Sequence, residues 1–181
     1  VVDVQRDRIA ATLGAKSNEI YFTAGGSEAD NWALKATAEA YRDKGNHIIT
    51  TKIEHHAILH TAQYLEKNGY EVTYLDVDED GKVRLEDLKK AIRPETILIS
   101  VMFANNEIGS VLPIAEIGEA CRAHGVLFHT DAVQAAGHIP VNVKKQNIDM
   151  LSLSAHKFHG PRGIGALYVK RGIELTSLME G

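Results

Sequence analysis

The sequence predicts an α/β fold: a three-layer sandwich with a mostly parallel sheet and helices on both faces. Three observations predict it. Short apolar stretches of strand length recur at 20–23, 47–51, 71–75, 97–101, 126–130, 150–153 and 165–169. Helix-like stretches lie between most of them, at 28–43, 57–68, 85–92 and 114–124. Polar, chemically capable residues gather just after the strands, where ligands collect in parallel sheets.

Taken in order, Val4, Ile9 and Leu13 recur at helical spacing, so the chain opens inside a helix. The stretch 28–43 carries Trp32, Leu34 and Ala36, which read as packing against the sheet rather than as an interaction surface. Asn68-Gly69 and His124-Gly125 supply C-cap signals, and Pro113 opens the helix at 114. Alternating strands and helices imply parallel strands buried on both sides. No repeat, low-complexity tract or linker divides the chain, so 1–181 reads as one domain. Starting at Val1 and stopping at Leu178-Met179-Glu180-Gly181 with no closing element, it reads as a piece of a longer polypeptide.

The 181 residues are 44% apolar and 24% charged, ordinary values for a globular domain. A net charge of −4 leaves no basic footprint for nucleic acid. No apolar run approaches bilayer length, and no targeting peptide is visible. The single cysteine, Cys121, excludes an internal disulfide framework and fits a reducing compartment, so a cytoplasmic protein is expected.

Three clusters carry chemistry. Thr23-Ala24-Gly25-Gly26-Ser27-Glu28 joins a strand to a helix. Glycines let the backbone approach an anion, helix-start N–H groups point toward it, and Ser27 adds a hydroxyl. The same string also reads as a capping turn with Ser27 as N-cap. It is neither a P-loop nor a G-x-G-x-x-G fingerprint. In Phe128-His129-Thr130-Asp131-Ala132-Val133-Gln134, the apolar strand puts Asp131 at the sheet edge. A buried carboxylate there needs a cation or several donors. A protonated heterocyclic nitrogen would serve, whereas the plainer reading is an N-cap with Gln134 on the same face. In Ser154-Ala155-His156-Lys157-Phe158-His159-Gly160, a lysine follows a buried strand directly. Desolvation and cationic neighbours would lower its pKa and make the amine a nucleophile. The alternative is a surface-loop lysine.

Two further patterns are set aside. His56 and His60 share a helix face among nine histidines, but no Cys or Glu completes a zinc spacing, so no metal is expected. Asp76-Val77-Asp78-Glu79-Asp80-Gly81 looks like an EF-hand loop, but Tyr70, Val72 and Tyr74 before it alternate like a strand.

The string 154–165 resembles the PLP-lysine signature of cysteine desulfurases of the NifS/IscS type, in the class V aminotransferase superfamily of fold-type I enzymes. Phe22 to Asn31, Glu54-His55-His56, Asn105-Asn106-Glu107-Ile108-Gly109 and Asp131-Ala132-Val133-Gln134 are similar to the same family in the same order. The resemblance implies pyridoxal 5'-phosphate (PLP), held as a Schiff base on Lys157, which later moves the substrate α-proton. It implies that Asp131 pairs with the ring nitrogen and that His55 stacks on the ring and assists proton transfer. Asn106 and Gln134 would contact the ring's 3′ oxygen, and Gly26, Ser27, Ser154 and His156 would hold the phosphate. Gly26-Ser27 departs from the family's usual Ala-Thr but keeps the backbone donors and a hydroxyl.

The resemblance further implies L-cysteine as substrate, a homodimer, and a sulfur acceptor or scaffold protein served by an enzyme-bound persulfide. It also implies that an N-terminal segment and a small C-terminal domain with the persulfide cysteine are absent. Cys121, four residues after Ile117 on one helical face, reads as a buried, inert thiol. This stretch alone should therefore lack turnover. The competing readings are another class V aminotransferase or lyase, and a non-catalytic scaffold that keeps the fold.

Overall fold

The computed structural model describes residues 1–179; Glu180 and Gly181 of the expected open end lie outside them. In chain order the strands are Ile20–Thr23 (β1), His47–Thr51 (β2), Glu71–Leu75 (β3), Thr96–Ser100 (β4), Leu127–Asp131 (β5), Met150–Ser154 (β6) and Gly165–Val169 (β7). The α-helices are Val2–Leu13 (α1), Gly26–Ala40 (α2), His56–Lys67 (α3), Leu85–Ala91 (α4) and Ile114–His124 (α5). The strands form one sheet in the order β1-β7-β6-β5-β4-β2-β3.

Neighbours from β3 across to β6 run parallel. Strand β7 is reversed, antiparallel to both β6 and β1. A parallel return needs a crossover of a dozen or more residues, usually a helix. The connection 155–164 holds only the short 3-10 turn Ala155–Phe158, so the chain comes back antiparallel.

Successive residues of each strand face opposite sides, and this builds two apolar layers. Ile48, Leu98, Met150 and Leu167 pack with Ala29, Ala33 and Leu34 of α2 and Ile58 and Leu65 of α3. Ile49, Ile99, Leu151 and Tyr168 pack on the other side with Leu13 of α1, Leu88 of α4 and Ile117 and Cys121 of α5. Leu34, Ile58, Leu88 and Ile117 are fully buried, each worth about 1.5–3 kcal/mol. Among the described residues no helix is long and apolar enough to cross a membrane.

Some boundaries differ from the expected ones. Helix α2 starts at Gly26 rather than Glu28, with Gly25 at the N-cap and no side-chain cap. Ser27 therefore lies inside the first turn and is not the N-cap. Strand β5 starts at Leu127, because the Val126 N–H is taken by the Cys121 carbonyl as α5 closes. The expected C-cap at Gly125 is present, with φ 67° in the left-handed region that suits glycine. The acidic stretch after β3 is a tight turn in which Asp78 Oδ1 accepts the N–H groups of Asp80 and Lys82.

Candidate active site

The carboxyl ends of β5 and β6 meet the N-terminus of α2 at a cavity of about 230 Å³. Gly26, Ser27 and Asp30 of α2 form one wall. His55, just before α3, and Met102, Ala104 and Asn106, after β4, form the opposite side. Asp131, Val133 and Gln134 follow from β5, and Ser154, His156 and Lys157 from β6. All nine residues singled out in the sequence line this one space.

The floor is set by strand alternation. Phe128 and Leu151 face the α5 layer, so their neighbours His129, Asp131, Ser152 and Ser154 face α2. Asp131 is buried, and its Oδ1 accepts the Val133 N–H at 2.9 Å. The N-cap-like turn is thus real, but it uses only one oxygen. None of the ion pairs among the described residues includes Asp131. Burial raises its pKa, and the Val133 N–H and His55 oppose that rise.

The glycine-lined side is backbone geometry. The first intrahelical bond of α2 runs from Ala29 N to Gly25 O, so the N–H groups of Gly26, Ser27 and Glu28 have no partner inside the helix. A Cβ on Gly26 would come within 2.6 Å of Val133 Cγ2 and 3.5 Å of Ser154 Cβ. The tight contact is with Val133, just after β5, whose side chain would have to give way to a larger residue at 26. The Ser154 hydroxyl lies 2.9 Å from His156 Nδ1, which orients that ring at the rim.

The rim is exposed. His55 caps α3, its Nδ1 accepting the Ala57 N–H at 3.1 Å, which leaves Nε2 as the hydrogen-bearing nitrogen of the neutral ring. Lys157 is also exposed, and the expected desolvated lysine is not what the structure shows. Strand β6 ends three residues earlier, and the 3-10 turn carries the amine out to the rim. That turn is held from behind: His138 Nε2 donates to the Lys157 carbonyl at 2.8 Å.

Sequence reasoning quoted the residues behind the rim within its motifs but gave them no role. Glu54 is buried; its Oε1 accepts the Thr51 hydroxyl at 2.8 Å and the Met102 N–H at 2.9 Å. It thereby ties the His55 segment to the end of β4, and burial pushes its pKa up to about 8. Asn105 accepts the N–H groups of Glu107 and Ile108 and donates to the Ile53 carbonyl, shaping the loop that presents Asn106. Asp30 was also given no role. Its signal was available: with Leu34 and Thr37 it occupies the buried i, i+4, i+7 stripe of α2.

Cys121 is buried, and burial pushes its thiol far above the ordinary range. The His56 and His60 rings lie 5.4 Å apart. Among the described residues no three His, Cys, Asp or Glu side chains gather as a metal-ligand set.

A family model described as Aminotransferase class-V matches residues 1–179. The cysteine desulfurase IscS of Clostridium botulinum (strain Kyoto / Type A2) is 64% identical over 180 residues, covering 99% of this chain and 45% of that protein. The cysteine desulfurase IscS of Methanosarcina thermophila is 58% identical with the same coverage. Among solved structures, a NifS-like protein matches with TM-score 0.96 at 41% identity, covering 99% of this chain and 50% of that one. A structure described as SspA in complex with cysteine matches with TM-score 0.96 at 44% identity, covering 99% and 52%. The chain spans about half the length of the curated relatives it matches.

Proposed function

This chain belongs to the aminotransferase class-V family, and from that premise we propose that it is the PLP-binding large domain of a cysteine desulfurase. The reaction would convert L-cysteine to L-alanine and leave the sulfur as an enzyme-bound persulfide for iron–sulfur cluster or thio-cofactor assembly. One observation carries the reading. The cavity joins a buried carboxylate without a cationic partner, a glycine-lined helix start with free N–H groups, and a lysine amine.

The donor set fits PLP. Asp131 would meet the ring nitrogen, and Gly26, Ser27, Ser154 and His156 would hold the phosphate. Asn106 and Gln134 would take the ring oxygen, His55 the ring face, and Lys157 the covalent attachment. When bound, PLP supplies an electron sink for carbanion chemistry at the substrate α-carbon.

The protein's own contribution is placement and proton handling. Asp131 offers a negative charge in a site from which water is largely excluded, where it keeps a facing N–H⁺ protonated. The Lys157 amine, exposed and anchored only through its backbone, can reach into the cavity and return a proton to a substrate carbon. His55, whose Nδ1 is tied to the helix, presents Nε2–H at the rim.

The persulfide needs an accessible thiolate, and Cys121 is neither accessible nor acidic enough. The carrier thiol therefore belongs to another part of the polypeptide, and this stretch alone would show no turnover. L-cysteine as substrate accords with the solved relative described as bound to cysteine. A homodimer, a sulfur-accepting partner and a cytoplasmic location complete the reading.

The test is spectroscopic. Adding PLP to the full-length polypeptide should produce the visible band of lysine-linked cofactor, and Lys157→Ala should abolish it. An unchanged spectrum with folded wild-type protein would overturn the reading in favour of a scaffold.

A further inference from the structure

We propose that Asp30 is a positioning residue of the cavity floor: held there as a neutral carboxylic acid, it leaves Asp131 as the single negative charge beneath a bound ring. The purpose assigned to Asp30 rests on the cofactor reading; its protonation can be tested without any cofactor.

Asp30 sits one turn inside α2 and reaches the same sheet face as His129, Asp131 and Ser152. Its side chain is 2% exposed and lines the cavity. Its Oδ1 has no hydrogen-bond partner. The nearest candidate cation, His129 Nε2, is 3.7 Å away, beyond hydrogen-bonding distance.

His129 cannot supply a charge. It is fully buried, with Nδ1 at 2.8 Å from the Ser100 hydroxyl and Nε2 at 2.9 Å from the Ser152 hydroxyl. Burial pushes its pKa down to about 3, so the ring is neutral.

The other groups facing Asp30 make a second anion harder to hold. Strand β5 presents Asp131, and the turn after β2 presents Glu54, both carboxyls. Strands β4 and β6 present Ser100 and Ser152 on this face. Helix α3 packs through Ile58 and Leu65 and offers His55 only at its cap, where it acts on Asp131. Tyr21 of β1 packs on Trp32, and Tyr168 of β7 lies in the opposite layer.

Two carboxyls side by side in a dry site do not both ionise. The remaining contacts decide which one keeps the proton. Asp131 receives a backbone N–H and faces His55, and both favour its charged form. Asp30 has the Ser152 hydroxyl in its favour, but burial and the Asp131 charge outweigh it and push its pKa well up. With the proton on Asp131 instead, a ring nitrogen would meet a neutral acid.

The test compares wild type with Asp30→Asn, which matches the protonated acid in shape, in the full-length polypeptide. In the cofactor-free protein, folded Asp30 keeps its proton while the unfolded chain loses it near 3.8. Stability should therefore fall as pH rises above that value, by up to about tenfold per pH unit in the folding constant relative to Asp30→Asn. Parallel stability curves would mean that folded Asp30 is ionised, and the proposal fails. If Asp30→Asn does not fold, infrared spectra of Glu54→Gln at pH 7 decide. A protonated-carboxyl band that persists when Asp131→Asn is added supports the proposal, and a band that disappears with Asp131→Asn, or no band at all, overturns it.

With PLP, Asp30→Asn should keep the cofactor affinity within about threefold, while Asp131→Asn loses it. Loss of affinity in Asp30→Asn comparable to that in Asp131→Asn would place the charge on Asp30 and overturn the assignment. If wild type itself takes up no PLP, the cofactor reading fails, and the pH comparison still decides the state of Asp30.

Discussion

The floor and the rim of the cavity are built in opposite ways. On the floor, Asp30, His129, Asp131 and Ser152 lie on a helix and two strands, and all are buried. On the rim, Ser27, His55, Asn106, His156 and Lys157 are exposed. Three of these rim side chains, however, have a buried anchor beside them: Glu54 next to His55, Asn105 next to Asn106, and Ser154 next to His156. The polar groups of the floor are fixed by packing before any ligand arrives. The rim side chains stand on short turns, free to adjust, on backbone that is not.

The comparison can be broken first at the rim. Lys157→Ala should remove the visible band of bound PLP completely, yet leave the melting midpoint of the apoprotein unchanged, since exposed side chains change stability by only about 0.5 kcal/mol. A large drop in melting midpoint would show that Lys157 belongs structurally to the floor.

Glu54 sharpens the contrast through pH. Folded Glu54 keeps its proton up to about 8, whereas the unfolded chain loses it near 4.5. The unfolded state binds fewer protons in that window, so this group makes stability fall as pH rises. Glu54→Gln should flatten the denaturation profile between these limits, by up to about tenfold in folding constant per pH unit. Equal slopes in the two proteins would place an ionised carboxylate behind His55.

At the floor, Asp131→Asn should weaken PLP binding by about 1.5–3 kcal/mol, roughly 10- to 100-fold in Kd. The apoprotein should become no less stable, because a buried carboxylate without a cation is removed. Titration calorimetry with thermal melts would separate the two effects, and undiminished affinity would refute the assigned role.

Gly26→Ala probes the join between the two regions. The new methyl meets Val133 at 2.6 Å, and such overpacking costs about 1–3 kcal/mol. Both the melting midpoint and the phosphate-dependent part of PLP affinity should fall; a more stable variant would mean that helix propensity outweighs the contact. The smallest effect is expected from Ser154→Ala. Losing the bond to His156 should cost about 0.5–1.5 kcal/mol and loosen the ring, visible as motional averaging of the His156 ring resonances by NMR.

The strand positions were legible because apolar stretches of strand length fall between turn signals. The candidate site was legible because its residues lie at or within a few residues of the carboxyl ends of strands, as with Ser154 at the end of β6. Asp30 and Glu54 were harder to read. A lone acid inside a helical stripe and an acid beside His55 look like solvated charges until the fold shows what covers them. Lys157 fails in the other direction: its apolar neighbours in sequence suggest burial, but a four-residue 3-10 turn is enough to carry the amine into solvent.

By itself, then, the sequence determined the alternation of elements, the helices on both faces and the set of residues at the carboxyl ends of the strands. These follow from local periodicity and from the chain direction of a parallel sheet. The tertiary structure alone decided that β7 reverses, that Lys157 stands in solvent, and which carboxyls are shut away together. Burial and like-charge proximity are sums over residues far apart in the chain, so no local pattern contains them.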